Sequence, residues 1–246
     1  MELELYQLLL IALVTLGASY IQSVTGFGFG IFAMIFLPHI LLYTEANVLS
    51  SIVSAFTSVA VVVSMLSKVS RRNLIFPLAG CLVATYLSVS FVKSQENELL
   101  TLLLGIALIS LSVYFFFFSG KIRIRPTWYA GLIAGTLSGI LGGMFSIGGP
   151  PVVIYYMQSE EDSDHYLATI SAYFVLSNAI SITTKAAAGF ITQNVWIALA
   201  TGIVGMLVGS FIGKLTRSKT KPQMIKKAVY AVMALSGVVN VITALI

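Results

Sequence analysis

With 246 residues, 58% of them hydrophobic and 9% charged, the chain holds more apolar surface than a water-soluble core absorbs, since soluble domains carry about 25% charged residues. A soluble domain is excluded and an integral membrane protein of one unit is required, in line with a mean hydropathy of +0.97. The net charge of +5 does not indicate a nucleic-acid partner, because Lys and Arg cluster in short loops between apolar runs, where they set membrane topology.

The N-terminus reads Met1-Glu2-Leu3-Glu4. It lacks the basic stretch and small-residue cleavage site of a signal peptide, so the first apolar run is expected to stay as a helix. A crossing helix needs roughly 20 apolar residues. Runs fall at 5–24, 27–43, 47–67, 73–92 and 99–118. A basic linker, 121–126, follows with Lys121, Arg123, Arg125 and Pro126. Then come 127–145, a short piece 150–157, and 165–184, 193–213 and 226–246, with the acidic loop "QSEEDSD" at 158–164. The single cysteine, Cys81, lies in an apolar run. It excludes an intrachain disulfide or a C-x-x-C pair and reads as a small buried residue. Glycine interrupts the first pair and the 127–157 pair. Each is two short helices or a re-entrant hairpin, and hydropathy does not choose between them.

The two halves repeat. "IFPLAGCLVATYLSVSFV" (75–92) lies over "IALATGIVGMLVGSFIGK" (197–214), with Gly80 on Gly202. Loop charges swap between equivalent positions. In the first half Lys68, Arg71 and Arg72 precede a loop with Lys93, Glu96 and Glu98. In the second half Lys185 stands alone before Lys214, Arg217, Lys219, Lys221, Lys226 and Lys227. Basic short loops stay cytoplasmic, so the repeats 1–120 and 127–246 are expected to be inverted, each with an odd number of crossings. Both termini then face away from the cytoplasm, and the acidic 158–164 loop falls on the cytoplasmic side. The fold class expected is an all-α integral membrane protein with 8–10 transmembrane or re-entrant segments in two inverted-topology repeats, its broken helices meeting near the midplane.

The breaks are "TGFGFG" (25–30) and "GGMFSIGGPP" (142–151). Non-helical backbone at membrane depth survives only where protein or a water-filled cavity surrounds it, and broken helices in inverted-repeat transporters form the substrate site. Pro150 and Pro151 suit the first turn of a helix, where a missing N–H is no loss. Gly148 and Gly149 leave the backbone open to approach, and the positive helix end makes an anion site. Ser146 adds a hydroxyl. Gln22, Ser23 and Thr25, around Gly26, Gly28 and Gly30, supply matching donors. Asn178 lines the cavity or makes an interhelical hydrogen bond. Lys185 partners the anion or snorkels to the interface. Phe27, Phe29 and Phe145 flank the breaks as gates or as packing residues. Gly131, Gly135 and Gly139, like Gly205, Gly209 and Gly213, have the spacing of close helix packing.

No Asp or Glu falls deep in these spans, which suits an anionic or neutral substrate rather than a cation. His39 and His165, without neighbouring ligands, make no metal site. No Walker A sequence is present, and no cofactor is expected. An enzyme built on Ser138 with His39 or His165 lacks the G-x-S-x-G motif. A permease subunit needing a partner ATPase, or a scaffold, is the other alternative.

At these residues the chain resembles the sulfite exporter TauE/SafE family of membrane transporters. "QSVTGFGFGIFAMIFLP" (22–38) is similar to its first glycine motif and "GLIAGTLSGILGGMFSIGGPPVVIYY" (131–156) to its second. "GIVGMLVGSFIGKLTRS" (202–218) is similar to its late glycine-rich span and basic loop. The resemblance implies a secondary carrier in a prokaryotic inner membrane. It would move sulfite, thiosulfate or an organosulfonate of taurine or sulfoacetate breakdown, with H+ or Na+ as a possible coupling ion. The oligomeric state is left open.

Overall fold

A computed structural model describes residues 3–118, 124–216 and 222–245. Its helices are α1 (Leu5–Thr25), α2 (Phe29–Phe36), α3 (Tyr43–Ser64), α4 (Arg71–Lys93), α5 (Asn97–Phe118), α6 (Trp128–Phe145), α7 (Gly149–Ser159), α8 (Ser163–Ala187), α9 (Gln193–Thr216) and α10 (Pro222–Leu245). Single 3-10 turns follow α2 (Leu37–His39) and α3 (Leu66–Lys68). No strand occurs among the described residues. Among the described residues, eight helices are long and apolar enough to cross a membrane; α2 and α7 are the short ones. Their outer faces carry residues such as Leu13, 63% exposed, and Phe211, 66% exposed, where a soluble protein would place charge. This is an integral membrane protein.

Each glycine-interrupted pair is a hairpin in which the short helix folds back on the long one. A Cβ on Gly17 of α1 would lie 2.8 Å from the Phe32 ring of α2, and one on Gly28 would lie 3.2 Å from Ile21. In the second pair, a Cβ on Gly131 would lie 3.1 Å from the Tyr155 ring, and one on Gly148 2.9 Å from the Ser138 carbonyl. The first turn is made by Gly26 (φ 85) and Gly28 (φ 103), left-handed backbone that glycine adopts without steric cost. The second uses Ser146 at φ 55, left-handed and carried by a non-glycine residue.

Two parallel helix pairs use glycine to approach backbone to backbone. On α6, a Cβ on Gly135 would stand 1.9 Å from the Pro77 carbonyl oxygen of α4. On α9, one on Gly205 would stand 2.1 Å from the Ala12 carbonyl oxygen of α1. Gly139 meets Cys81 on α4, and Gly209 meets Leu16 on α1. The sequence-level packing reading therefore holds for these stripes; small residues let membrane helices come this close. Between the two pairs, α3 and α8 run antiparallel, shown by Ser51 beside Lys185 and Ser54 beside Asn178. α5 and α10 also run antiparallel, with Gly105 against Gly237 and Ser112 bonded to the Tyr230 carbonyl.

The acidic loop after α7 sits on the basic loop after α3. Lys68 pairs with Asp164, Ser70 donates to Glu160 at 2.5 Å, and Asn73 donates to Glu160 at 2.9 Å. Opposite charge thus places both loops at one end of the bundle. The hydrogen bond that the Lys68 ammonium donates to Asp164 raises its pKa. Asp162 caps α8 by accepting from the backbone N–H groups of Asp164 and His165. The His165 backbone bond, then its side chain, holds the Asp162 carboxyl down to about 2. Lys121 and Arg123 of the linker, and Arg217, Lys219 and Lys221, lie outside the described residues.

One expectation needs correction. α3 begins at Tyr43, four residues before the predicted run, and so takes in Glu45, which is 2% exposed. Its carboxylate accepts from the Thr192 hydroxyl at 2.6 Å and from the Leu42 N–H at 3.3 Å. A polar first turn hid this residue from the hydropathy reading.

Candidate functional site

The two breaks touch. A Cβ on Gly30, at the start of α2, would lie 1.7 Å from the Ser146 carbonyl oxygen. Gly149, at the start of α7, faces Phe27 and Phe174, with ring contacts near 3.5 Å for an added Cβ. Both short helices thus begin at the same place. The first-turn amides of a helix have no intrahelical acceptor. On α2 these are Phe29, Gly30 and Ile31. On α7, Gly149 carries one, while Pro150 and Pro151 have no N–H to offer. Two positive dipole ends therefore converge.

A cavity lies between them. It is small: about 40 Å³ is open to the centre of a water-sized sphere, where one water needs roughly 10–15 Å³. Ser54 of α3 and Ser177, Asn178 and Ser181 of α8 form its polar walls, near the middle of α3 and beyond the middle of α8. Gln22 bridges to α3, donating to Ser58 at 2.8 Å and accepting from Ser54 at 3.2 Å. Asn178 donates to Ser54 at 3.4 Å, so it both lines the cavity and bonds between helices. Ser181 is 5% exposed and its hydroxyl has no protein partner. Buried hydroxyls rarely go unpaired, so this one is available to a bound molecule. No carboxylate lines the cavity among the described residues.

Behind the Ser146 wall stands Lys185. It is 0% exposed, so it does not snorkel. Its ammonium donates to Ser51 at 2.7 Å, Ser146 at 3.0 Å and the Gly142 carbonyl at 3.3 Å. Ser146 also donates to Asn47, whose amide donates to the Met144 carbonyl at 2.6 Å. The end of α6 is held to α3 and α8 by this network.

Of the residues singled out from sequence, Gln22, Gly28, Gly30, Ser146, Gly148, Gly149 and Asn178 border the cavity. Ser23 packs against Gly213 of α9, on the other side of α1. The Thr25 hydroxyl donates within the break, to the Ile21 and Phe27 carbonyls. Gly26 shapes the turn beside Leu167. Pro150 faces the outer groove with Ile133 and Leu137. Phe27 is buried against Gly149 and Phe115, and Phe145 is buried in the core. Phe29 and Phe174 are the aromatic rings in the wall. Sequence reasoning missed Ser54, Cys81, Thr85, Ser138, Phe174, Ser177 and Ser181. The available signal was hydroxyls at helical spacing in apolar spans, as in Ser50, Ser54 and Ser58, and Ser177 with Ser181.

Among the described residues, eight long apolar helices and the two short ones that turn back on α1 and α6 enclose a small polar cavity at the starts of α2 and α7. The sequence signature described as Sulfite exporter TauE/SafE matches residues 11–239, and the chain belongs to that family. It is 23% identical over 239 residues to a probable sulfite/organosulfonate exporter TauE of Cupriavidus necator, covering 95% of this chain and 93% of that protein. No solved structure matches it.

Proposed function

We propose that this protein is a secondary carrier that moves a small sulfur-containing anion, sulfite, thiosulfate or an organosulfonate, by alternating access around the two breaks. The observation that carries this reading is the convergence of two helix N-termini on one small, carboxylate-free polar cavity. Helix starts favour negative charge. The cavity size suits an anion of a few heavy atoms, and the name of the Cupriavidus necator relative agrees. The amides of Phe29, Gly30, Ile31 and Gly149, with Gln22, Ser146, Asn178 and Ser181, hold the anion. Lys185 adds positive charge one hydroxyl away. Phe27 and Phe145, buried on either side of the breaks, close the path.

The halves 1–120 and 127–246 are inverted repeats in this reading. Supporting it, exchanging α1–α5 for α6–α10 turns the α1–α9 pair into the α6–α4 pair. The same exchange returns α3–α8 and α5–α10 to themselves as antiparallel pairs. Lys68, Arg71, Arg72, Arg125 and Lys214 gather at one end of the bundle, which we assign to the cytoplasm by the positive-inside rule. The termini then lie outside a prokaryotic inner membrane.

Counterflow in proteoliposomes tests the substrate class, with sulfite, thiosulfate, sulfate, taurine, sulfoacetate and acetate as competitors. Selective exchange of one sulfur anion is expected, and equal exchange of acetate would remove the sulfur assignment. Cys81 is the sole thiol and lies in the cavity wall. Alkylation of it by a small maleimide should slow when the transported anion is present. A rate indifferent to that anion would place the substrate elsewhere.

A further inference from the structure

A fully buried lysine without a counter-ion needs an explanation. An ammonium taken out of water is costly unless paired. The partners of Lys185 are two hydroxyls and one carbonyl. Among the described residues, no charged group bonds to it. From α3, Tyr43 donates to the Met144 carbonyl, and Glu45 is bound to Thr192 and Asn194. α4 offers Cys81, near Thr85, and α7 offers Tyr156, bonded to the Asn73 carbonyl. The one titratable side chain of α6, Tyr129, is at its far end, and Asp162, Asp164, His165 and Lys68 gather beyond the opposite end of α8.

The cage serves both protonation states. An ammonium has three N–H donors, and three acceptors surround it. A neutral amine has two donors and a lone pair. Ser51, at 2.7 Å, can turn its proton from Asn47 or Ser146 toward that lone pair. The two remaining N–H donors then serve Ser146 and the Gly142 carbonyl, so every partner stays satisfied. A carboxylate partner would have fixed the lysine as a cation, whereas hydroxyls, which both donate and accept, leave it free to exchange.

We propose that Lys185 carries the coupling proton of this transporter, taking it up with the anion and releasing it with the anion. This rests on the cavity being the anion site. On loading, –NH2 gains one proton from the side the anion enters and becomes –NH3+, which offsets one negative charge across the Ser146 hydroxyl. On release the proton leaves to the other side. Only an N–H bond forms and breaks. One amine carries one proton, so the ratio is one proton per anion whatever the anion's charge.

The test uses proteoliposomes holding a pH-sensitive dye, with potassium on both sides and valinomycin clamping the potential at zero. Methanesulfonate and thiosulfate, neither a weak acid near neutral pH, are supplied as inward gradients. The wild-type protein should acidify the lumen by one proton per anion taken up. Lys185→Arg, which keeps the charge but does not exchange it, and Lys185→Gln, which cannot be charged, should reduce that ratio to zero in whatever uptake remains. A wild-type ratio of zero overturns the assignment even if neither variant can be reconstituted, and so does a variant that still moves one proton per anion. Absence of uptake and counterflow for every anion overturns the cavity reading itself, which separates the two failures.

Discussion

Gly30 is the position where the two breaks are most tightly joined, and replacing it with alanine tests whether their contact matters. The new methyl would lie 1.7 Å from the Ser146 carbonyl oxygen and 2.8 Å from its carbonyl carbon. Both are backbone atoms, so no side chain can swing aside. The oxygen must retreat by about 1.3 Å to reach even a 3.0 Å contact. That retreat parts the two helix starts across the cavity. Overpacking of this kind costs about 1–3 kcal/mol of stability. A binding geometry displaced by about 1 Å loses activity on the order of 100-fold. Gly30→Ala should therefore still insert and purify as a folded monodisperse species, while its counterflow rate falls by about two orders of magnitude. The assay is initial counterflow of the preferred anion per folded protein, with folding followed by size exclusion and thermal unfolding in detergent. Wild-type counterflow in Gly30→Ala would falsify the claim that the contact of the two breaks sets the site.

Gly149 separates size from backbone need: an added Cβ lies 3.5–3.6 Å from Phe174 and Phe27, ordinary contact. Gly149→Ala should keep much of its counterflow and Gly149→Leu should lose it; equal activity in the two would take the break out of the mechanism. Gly80 and Gly202, equivalent positions in the proposed repeat, differ in surroundings. Gly80→Ala, whose Cβ would meet the Leu132 carbonyl at 2.4 Å, should lower the melting temperature, on the scale of about 1–3 kcal/mol. Gly202→Ala has 3.5 Å to its neighbours and should be neutral or stabilising by up to about 1 kcal/mol through helix propensity; the reverse order would refute the packing account. Asp162 titrates at about 2 when folded, against about 3.9 unfolded. Its contribution to stability is therefore full above pH ~4 and is lost as pH falls toward 2. Asp162→Asn keeps a cap acceptor but not the charge, so its melting temperature should fall less steeply across that window, and an unchanged slope would remove the charge from the cap.

Much of this architecture was legible in the chain. The apolar runs forecast the spans to within a few residues, because hydrocarbon demands an unbroken hydrogen-bonded helix and an apolar surface along its length. Gly28, Gly30, Gly148, Gly149 and Pro150 marked the breaks because few other residues make a helix stop and restart so abruptly. The acidic charges of the 158–164 loop, which composition leaves without a partner, meet the basic loop after α3 through Lys68 and Asp164.

Tertiary structure decided which side chains face the cavity. Gln22 and Ser23 are neighbours in sequence, yet one reaches α3 and the other packs on α9, because successive residues on a helix point about 100° apart and only the packing fixes which direction is inward. Ser54, Ser138 and Ser181 look like ordinary hydroxyls in apolar spans until α3, α6 and α8 bring them to one place. Lys185 sits at the end of an apolar run, where lysine usually reaches for water. The packing of α3 and the end of α6 over it, with Ser51, Ser146 and Gly142 within hydrogen-bonding distance, turns that residue into a buried one. Local composition determined where the chain crosses and where it breaks. Which residues meet across the break depended on contacts between segments more than a hundred residues apart, and no local pattern encodes those.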